Sequence, residues 1–217
     1  KRYFQRTAGT FLVPTGSAQV ARYVDPVWRE VNSFGDEIKS RVPGWSKTLP
    51  ARRNIWGEVI MSQGGVGPDM ISPIYKYQSE DRPIDVYLLE NKIPLQMPGR
   101  IINGVELTPQ EYSRYVELAG NALPVPDYSP ELGTYDTLNA LIDGSHEDSS
   151  EFLSLTDGPE GGKAAYIRSI IQNMRDVAKF QLGQESPDLN QRILDIQVED
   201  YENLTGETVD EIKSLVV

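Results

Sequence analysis

Apolar residues return along the C-terminal half of this chain every three or four positions, the spacing of an amphipathic helix. The clearest run is Gly162 to Leu182, where Ile167, Ile170, Ile171, Met174, Val177 and Ala178 form one stripe and Gly183 is expected to end the helix. Upstream, Thr108-Pro109-Gln110-Glu111 is a capping box with proline in the first turn. It opens a helix with Tyr112, Tyr115, Val116 and Ala119 on one side and an expected stop at Gly120. Thr134 to Asp143, with Leu138, Leu141 and Ile142, reads as a helix closed by Gly144, and Ser149 to Leu155 as a short one. Ser186-Pro187 starts another, with Leu189, Ile193, Ile196 and Val198 inward. Thr208-Val209-Asp210-Glu211 caps a last one carrying Ile212, Leu215 and Val216.

The first half is patterned differently. Lys1 to Ala8 reads as the end of a helix begun upstream, and Ser17 to Tyr23 as two helical turns. Asp25-Pro26 is a helix-start signal, since aspartate accepts from free amides and proline loses no bond in the first turn. Trp28, Val31, Phe34 and Ile38 follow at helical spacing, with Gly35 as a kink, until Val42-Pro43-Gly44 stops the run. From Pro43 to Gly104, punctuation dominates: Gly64-Gly65, Gly67-Pro68, Ser72-Pro73, Arg82-Pro83, Ile93-Pro94 and Met97-Pro98-Gly99. Only Ile84 to Leu89 looks regular there, before Arg100 to Leu107 reads as a hairpin about Asn103-Gly104. About sixty residues of this kind are uncommon inside a compact domain and suit an arm lying along neighbouring subunits. The predicted fold is therefore mainly α, with several short-to-medium helices joined by a long irregular Pro/Gly-rich arm and at most a minor β-hairpin. Residues 1–42 read as an N-terminal helical segment, 43–104 as the arm and 105–217 as an acidic helical domain.

Composition sharpens this picture. Fifteen prolines, 18 glycines and a hydrophobic content of 39% favour extended segments between helices over outright disorder. The absence of cysteine excludes disulfides and thiolate metal sites. No apolar run of about 18 residues is present, so the chain is not expected to span a membrane. It begins at Lys1 without an initiator Met or signal peptide and reads as part of a longer polypeptide. The net charge of -11 is uneven: residues 1–100 carry 14 basic and 10 acidic side chains, residues 101–217 carry 7 and 22. The acidic half repels phosphate, which argues against tight nucleic-acid wrapping. It reads as a solvated surface, or as a wall past which DNA moves without being held.

Candidate chemistry is sparse. The single histidine, His146, lies on a polar turn and reads as a surface residue. Asp143 to Ser154 resembles a calcium loop superficially but has Asp148 where glycine and Ser154 where glutamate are required. Gly158-Pro159-Glu160-Gly161-Gly162-Lys163 has the wrong glycine spacing for a phosphate loop, followed by Ala164 instead of Ser/Thr, and reads as a turn before a helix. Glu199, Asp200 and Glu202 read as a solvated helix end. Asn203-Leu204-Thr205 matches a glycosylation sequon without the secretory signal that would give it meaning. No catalytic, cofactor-binding or metal-binding residues are assigned.

The stretch PGWSKTLPARRNIWG, Pro43 to Gly57, organises the rest. It combines helix-breaking prolines with Trp45, Leu49, Ile55 and Trp56, too much apolar surface for a free loop, and must clamp its own domain or a neighbour. Arg52-Arg53 beside Trp56 offers either a cation-plus-indole docking contact or an internal pair stitching the arm to acidic helices; the second fits so acidic a chain better. Tyr75, Tyr77 and Tyr87 read as packing residues.

Asp25, Pro26, Arg29 and Glu30, followed by Pro43, Gly44, Leu49, Pro50, Arg52, Arg53, Ile55, Trp56 and Gly57, resemble a segment of the internal virion, or ejection, proteins of short-tailed bacteriophages, sometimes classed among large polyvalent proteins. Glu106 to Tyr112, Tyr135, Leu138, Leu141-Ile142, Leu155 to Gly158, Lys163 and Ile167 through Arg175 extend the resemblance over most of residues 10–183. The resemblance implies a non-enzymatic structural segment that sits inside the capsid above the portal and moves to the host envelope on ejection. It implies as partners copies of itself in a ring, other ejection proteins and the portal. Double-stranded DNA would pass transiently, and the host envelope would be met through other parts of the parent protein. Any peptidoglycan-cleaving transglycosylase activity is expected in those other parts. The alternatives are an accessory domain of a polyvalent phage polypeptide acting in the host cytoplasm and, less favoured, an independent muramidase.

Overall fold

The computed structural model describes residues 25–42, 44–61, 83–125 and 131–205. The expected elements in residues 1–24 and 206–217 lie outside them, as do Pro43, Tyr75, Tyr77 and residues 126–130. Among the described residues the chain is mainly helical, with seven α-helices and one small antiparallel hairpin. The helices are α1 (Phe34–Arg41), α2 (Pro83–Glu90), α3 (Pro109–Glu117), α4 (Thr134–Asp143), α5 (Ser149–Ser154), α6 (Gly162–Glu185) and α7 (Pro187–Thr205). Strands β1 (Ile101–Ile102) and β2 (Val105–Glu106) pair Ile101 with Glu106 and Ile102 with Val105. Asn103 and Gly104 both adopt positive φ, the backbone that a two-residue primed turn requires.

Local signals place most helix boundaries. Thr108 accepts from the Glu111 amide while the Glu111 carboxylate accepts from the Thr108 amide, closing the expected capping box. Gly144 closes α4 in the left-handed conformation. Two boundaries differ from the sequence reading. The helix expected from Asp25 begins only at Phe34, because Ser33 and Asp36 form a capping box of their own. Residues 27–30 are instead extended, paired with residues beyond α1. Gly183 does not end α6, which runs on to Glu185: Asn190 of α7 packs against that glycine and donates to its carbonyl at 2.8 Å.

The long helix α6 is the spine of two packed clusters. Its first part supplies Ala164, Ile167, Ile170, Ile171 and Met174 to a core with Leu138 and Leu141 of α4, Phe152 of α5, Ile84 of α2, Ile93 and Trp56. Its last turns supply Ala178 and Leu182 to a second core with Tyr112, Tyr115 and Val116 of α3, the hairpin residues Ile102 and Val105, and Leu189 of α7. Of the inward set expected on α7, Leu189 is fully buried and Ile193 and Ile196 partly so, whereas Val198 faces outward.

Candidate functional site: the Asp25–Gly57 joint

Three extended pieces converge where the signature lies. The Trp28 amide donates to the Ile60 carbonyl at 2.8 Å, the Arg52 amide to Trp28 at 2.7 Å, and the Ile60 amide to Arg52 at 2.9 Å. Isolated antiparallel bridges join Val27 to Met61, Arg29 to Ala51 and Arg53 to Val59. The prolines on either side keep the pairing short, since each removes a donor.

At one end of this knot Asp25 is buried, opposite Arg29. The Arg29 guanidinium donates to both carboxylate oxygens at 3.0 Å and to the Leu49 carbonyl, while the Ser46 hydroxyl donates to Asp25 Oδ2 at 2.8 Å. Burial works to raise the Asp25 pKa, but the Arg29 and Ser46 hydrogen bonds outweigh it and hold the carboxyl below its ordinary range. Leu49 is buried beside this latch, while Pro26 and Arg52 are exposed and Pro50 is half-buried.

At the other end, Asn54 organises a tight turn by accepting from the Trp56 and Glu58 amides, both at 3.0 Å. The turn drives Trp56 into the first core, where its ring lies 5.3 Å from that of Tyr135 and its Nε1 donates to Asp85 of α2 at 2.8 Å. Gly57 takes positive φ against the backbone of Glu117, 3.0 Å from where a Cβ would sit. Beyond α3 the helix widens into a π-turn, Leu118–Ala122, so Gly120 does not stop the helix as its position suggested. A Cβ built there would overlap the Trp56 carbonyl, so this glycine is needed for close backbone approach.

Arg53 closes the joint from outside. Its Nη2 pairs with Glu117 Oε2 at 2.9 Å, its Nη1 donates to the Gly57 carbonyl, and its Nε donates to Ser113 Oγ, which itself donates to Ala51 O. The internal stitching expected of Arg52-Arg53 is thus made by Arg53, while Arg52 faces solvent. Gly44, also at positive φ, and Trp45 lie exposed beside the joint. The described parts of the Pro43–Gly104 arm, expected along neighbouring subunits, pack on their own chain: Leu49, Trp56, Ile84, Ile93 and Ile102 are all buried within it.

Sequence reasoning missed the partners Ser46, Asp85, Ser113 and Glu117, none of which stands out until the chain is folded, and read Gly120 only as a helix stop. His146 also departs from expectation: its side chain is 5% exposed, and its Nδ1 accepts from the Asp148 amide at 3.1 Å within the turn before α5. Residues 158–161 form a turn before a helix, as expected; Lys163, in the first turn of α6, reaches back to Asp157 at 2.9 Å. Tyr87 donates to the same carboxylate, and burial together with that carboxylate raises its pKa. Among the described residues no group of three or more His, Asp or Glu side chains is arranged to hold a metal ion, and no helix is long and apolar enough to cross a membrane. No protein-family model, curated protein or solved structure matches the chain.

Proposed function

We propose that this chain is a structural, non-enzymatic segment of an internal virion protein of a short-tailed phage, helping to form the conduit that delivers the genome through the host envelope. The observation that carries this reading is the use to which the signature is put. Asp25, Arg29, Leu49, Arg53, Trp56 and Gly57 turn inward and lock extended chain onto helices, rather than lining a cleft. Residues invested in a rigid joint suit a part that bears load within an assembly. In this reading the chain joins copies of itself, sister ejection proteins and the portal, inside the capsid before infection and at the envelope afterwards. The acidic C-terminal half would face the moving duplex, since like charge removes the phosphate contacts at which DNA would stick.

Mass spectrometry of purified virions tests the proposal. A polypeptide carrying these residues in multiple copies per particle is expected. Its absence from virions, with presence in infected cytoplasm, would favour an accessory domain acting inside the host. Clearing of a peptidoglycan zymogram by the isolated chain would overturn the non-enzymatic assignment.

A further inference from the structure

We infer that the segment following α7, Gly206 to Val217, folds back as a short helix against the outer face of α7 and covers Val198 and Tyr201. The inference concerns the packing of the chain on itself and stands apart from the virion reading above.

The outer face of α7 presents apolar surface that neither core uses. Leu194, Val198 and Tyr201 recur at i, i+4 and i+7, and are 53%, 37% and 44% exposed. At 3.6 residues per turn the three lie within about 60° of one another around the helix. Ile196 is the last residue of α7 to join a core among the described residues, and Gln197 to Tyr201 are all exposed. Yet α7 continues as helix to Thr205, nine residues past Ile196. Helical turns without a packed face are marginal in water, so this end of α7 calls for cover.

The segment that follows has the pattern and the reach to supply it. Gly206 stands directly after Thr205, where a helix stop is wanted, and Thr208 with Glu211 has the chemistry of a new start. The connection is then Gly206, Glu207 and the cap Thr208, within the two to five residues that join antiparallel helices. Beyond it Val209, Ile212 and Val216 share one side of a helix, with Asp210, Glu211 and Ser214 on the other. Turning back about Glu207 sets residues equally far from it side by side, since both helices rise about 1.5 Å per residue. Ile212 thus comes level with Tyr201 and Glu202, and Val216 with Val198. A second copy would have to find this stripe from solution, whereas the tail is tethered three residues from it, at a far higher effective concentration.

The chain has no cysteine, so an introduced pair reports a single contact. In a glutathione redox buffer, Val198→Cys with Val216→Cys should close an intramolecular disulfide about tenfold or more faster than Glu199→Cys with Val216→Cys. Glu199 is the next residue in the chain but lies about 100° further round the helix, so a tail that does not dock would reach both positions alike. Equal rates, or no disulfide in the first pair, would overturn the inference. Disulfide-linked dimers in place of closed monomers would also overturn it, and would give the stripe to a second copy. Hydrogen exchange provides a measurement on the parent chain itself. Amides of residues 212–216 should exchange about tenfold or more slowly than in a Val198→Asp, Tyr201→Asp variant whose α6 amides stay as slow as the parent's. Exchange at one rate in both proteins would overturn the docking. None of these results bears on presence in the virion, which the mass spectrometry reads separately.

Discussion

Gly120 shows how a single residue decides whether the joint closes. A side chain there would meet the Trp56 carbonyl, a backbone atom that has no rotamer to swing away. Gly120→Ala should therefore destabilise the chain on the order of 2 kcal/mol or more, in the range for overpacking a closed interior. Gly99→Ala is the matched control, since nothing lies within 4 Å of its Cβ position and its φ is not positive. Denaturant melts of the two variants check this, and equal losses would show that the close approach carries no weight. A glycine near the end of a periodic run reads in sequence as a stop signal. Its second meaning, permission for another backbone to approach, exists only once residue 56 has come to lie against residue 120.

Among the elements, the latch between residues 25–29 and the turn at Ser46–Thr48 has a strength that depends on pH. The Asp25 carboxyl is more acidic folded than unfolded, so it stabilises the fold fully above the ordinary aspartate pKa of about 3.9. That contribution is lost as pH falls through the lower folded value. Asp25→Asn removes the charge at every pH and should lower stability by roughly 1–3 kcal/mol at neutrality, as for a lost hydrogen bond to a charged group. The gap between variant and parent should narrow below about pH 4. Unfolding free energies measured from pH 7 down to pH 2 check this, and a constant gap would remove Asp25 from the acid response. The same element explains the displaced start of α1. Asp25 and Pro26 have the chemistry of a helix start, but the carboxylate is taken by Arg29 and Ser46, while Trp28 pairs with Arg52 and Ile60. Tertiary partners beat the local signal, and the next capping box, at Ser33, was free to act.

At the scale of the whole molecule, α6 threads both cores and the Trp56 joint ties the extended segments to the helices, so no described part holds a core to itself. Urea unfolding should accordingly be one cooperative transition, with tryptophan fluorescence and far-UV circular dichroism tracing the same curve. A tryptophan signal lost well before the helices melt would make the joint a separate unit. From its sequence alone the chain determined its mainly α class, the hairpin at Asn103-Gly104, the Thr108 cap and the apolar faces of α3, α4 and α6. Each follows from periodicity, caps or turn chemistry, which act over a few residues. Folding alone decided that Trp56 would enter its own core, that Arg53 would find Glu117 while Arg52 stayed in water, and that α7 would keep a second apolar stripe outside. Those outcomes depend on which backbone approaches which across sixty or so residues of separation, and no local pattern encodes that distance.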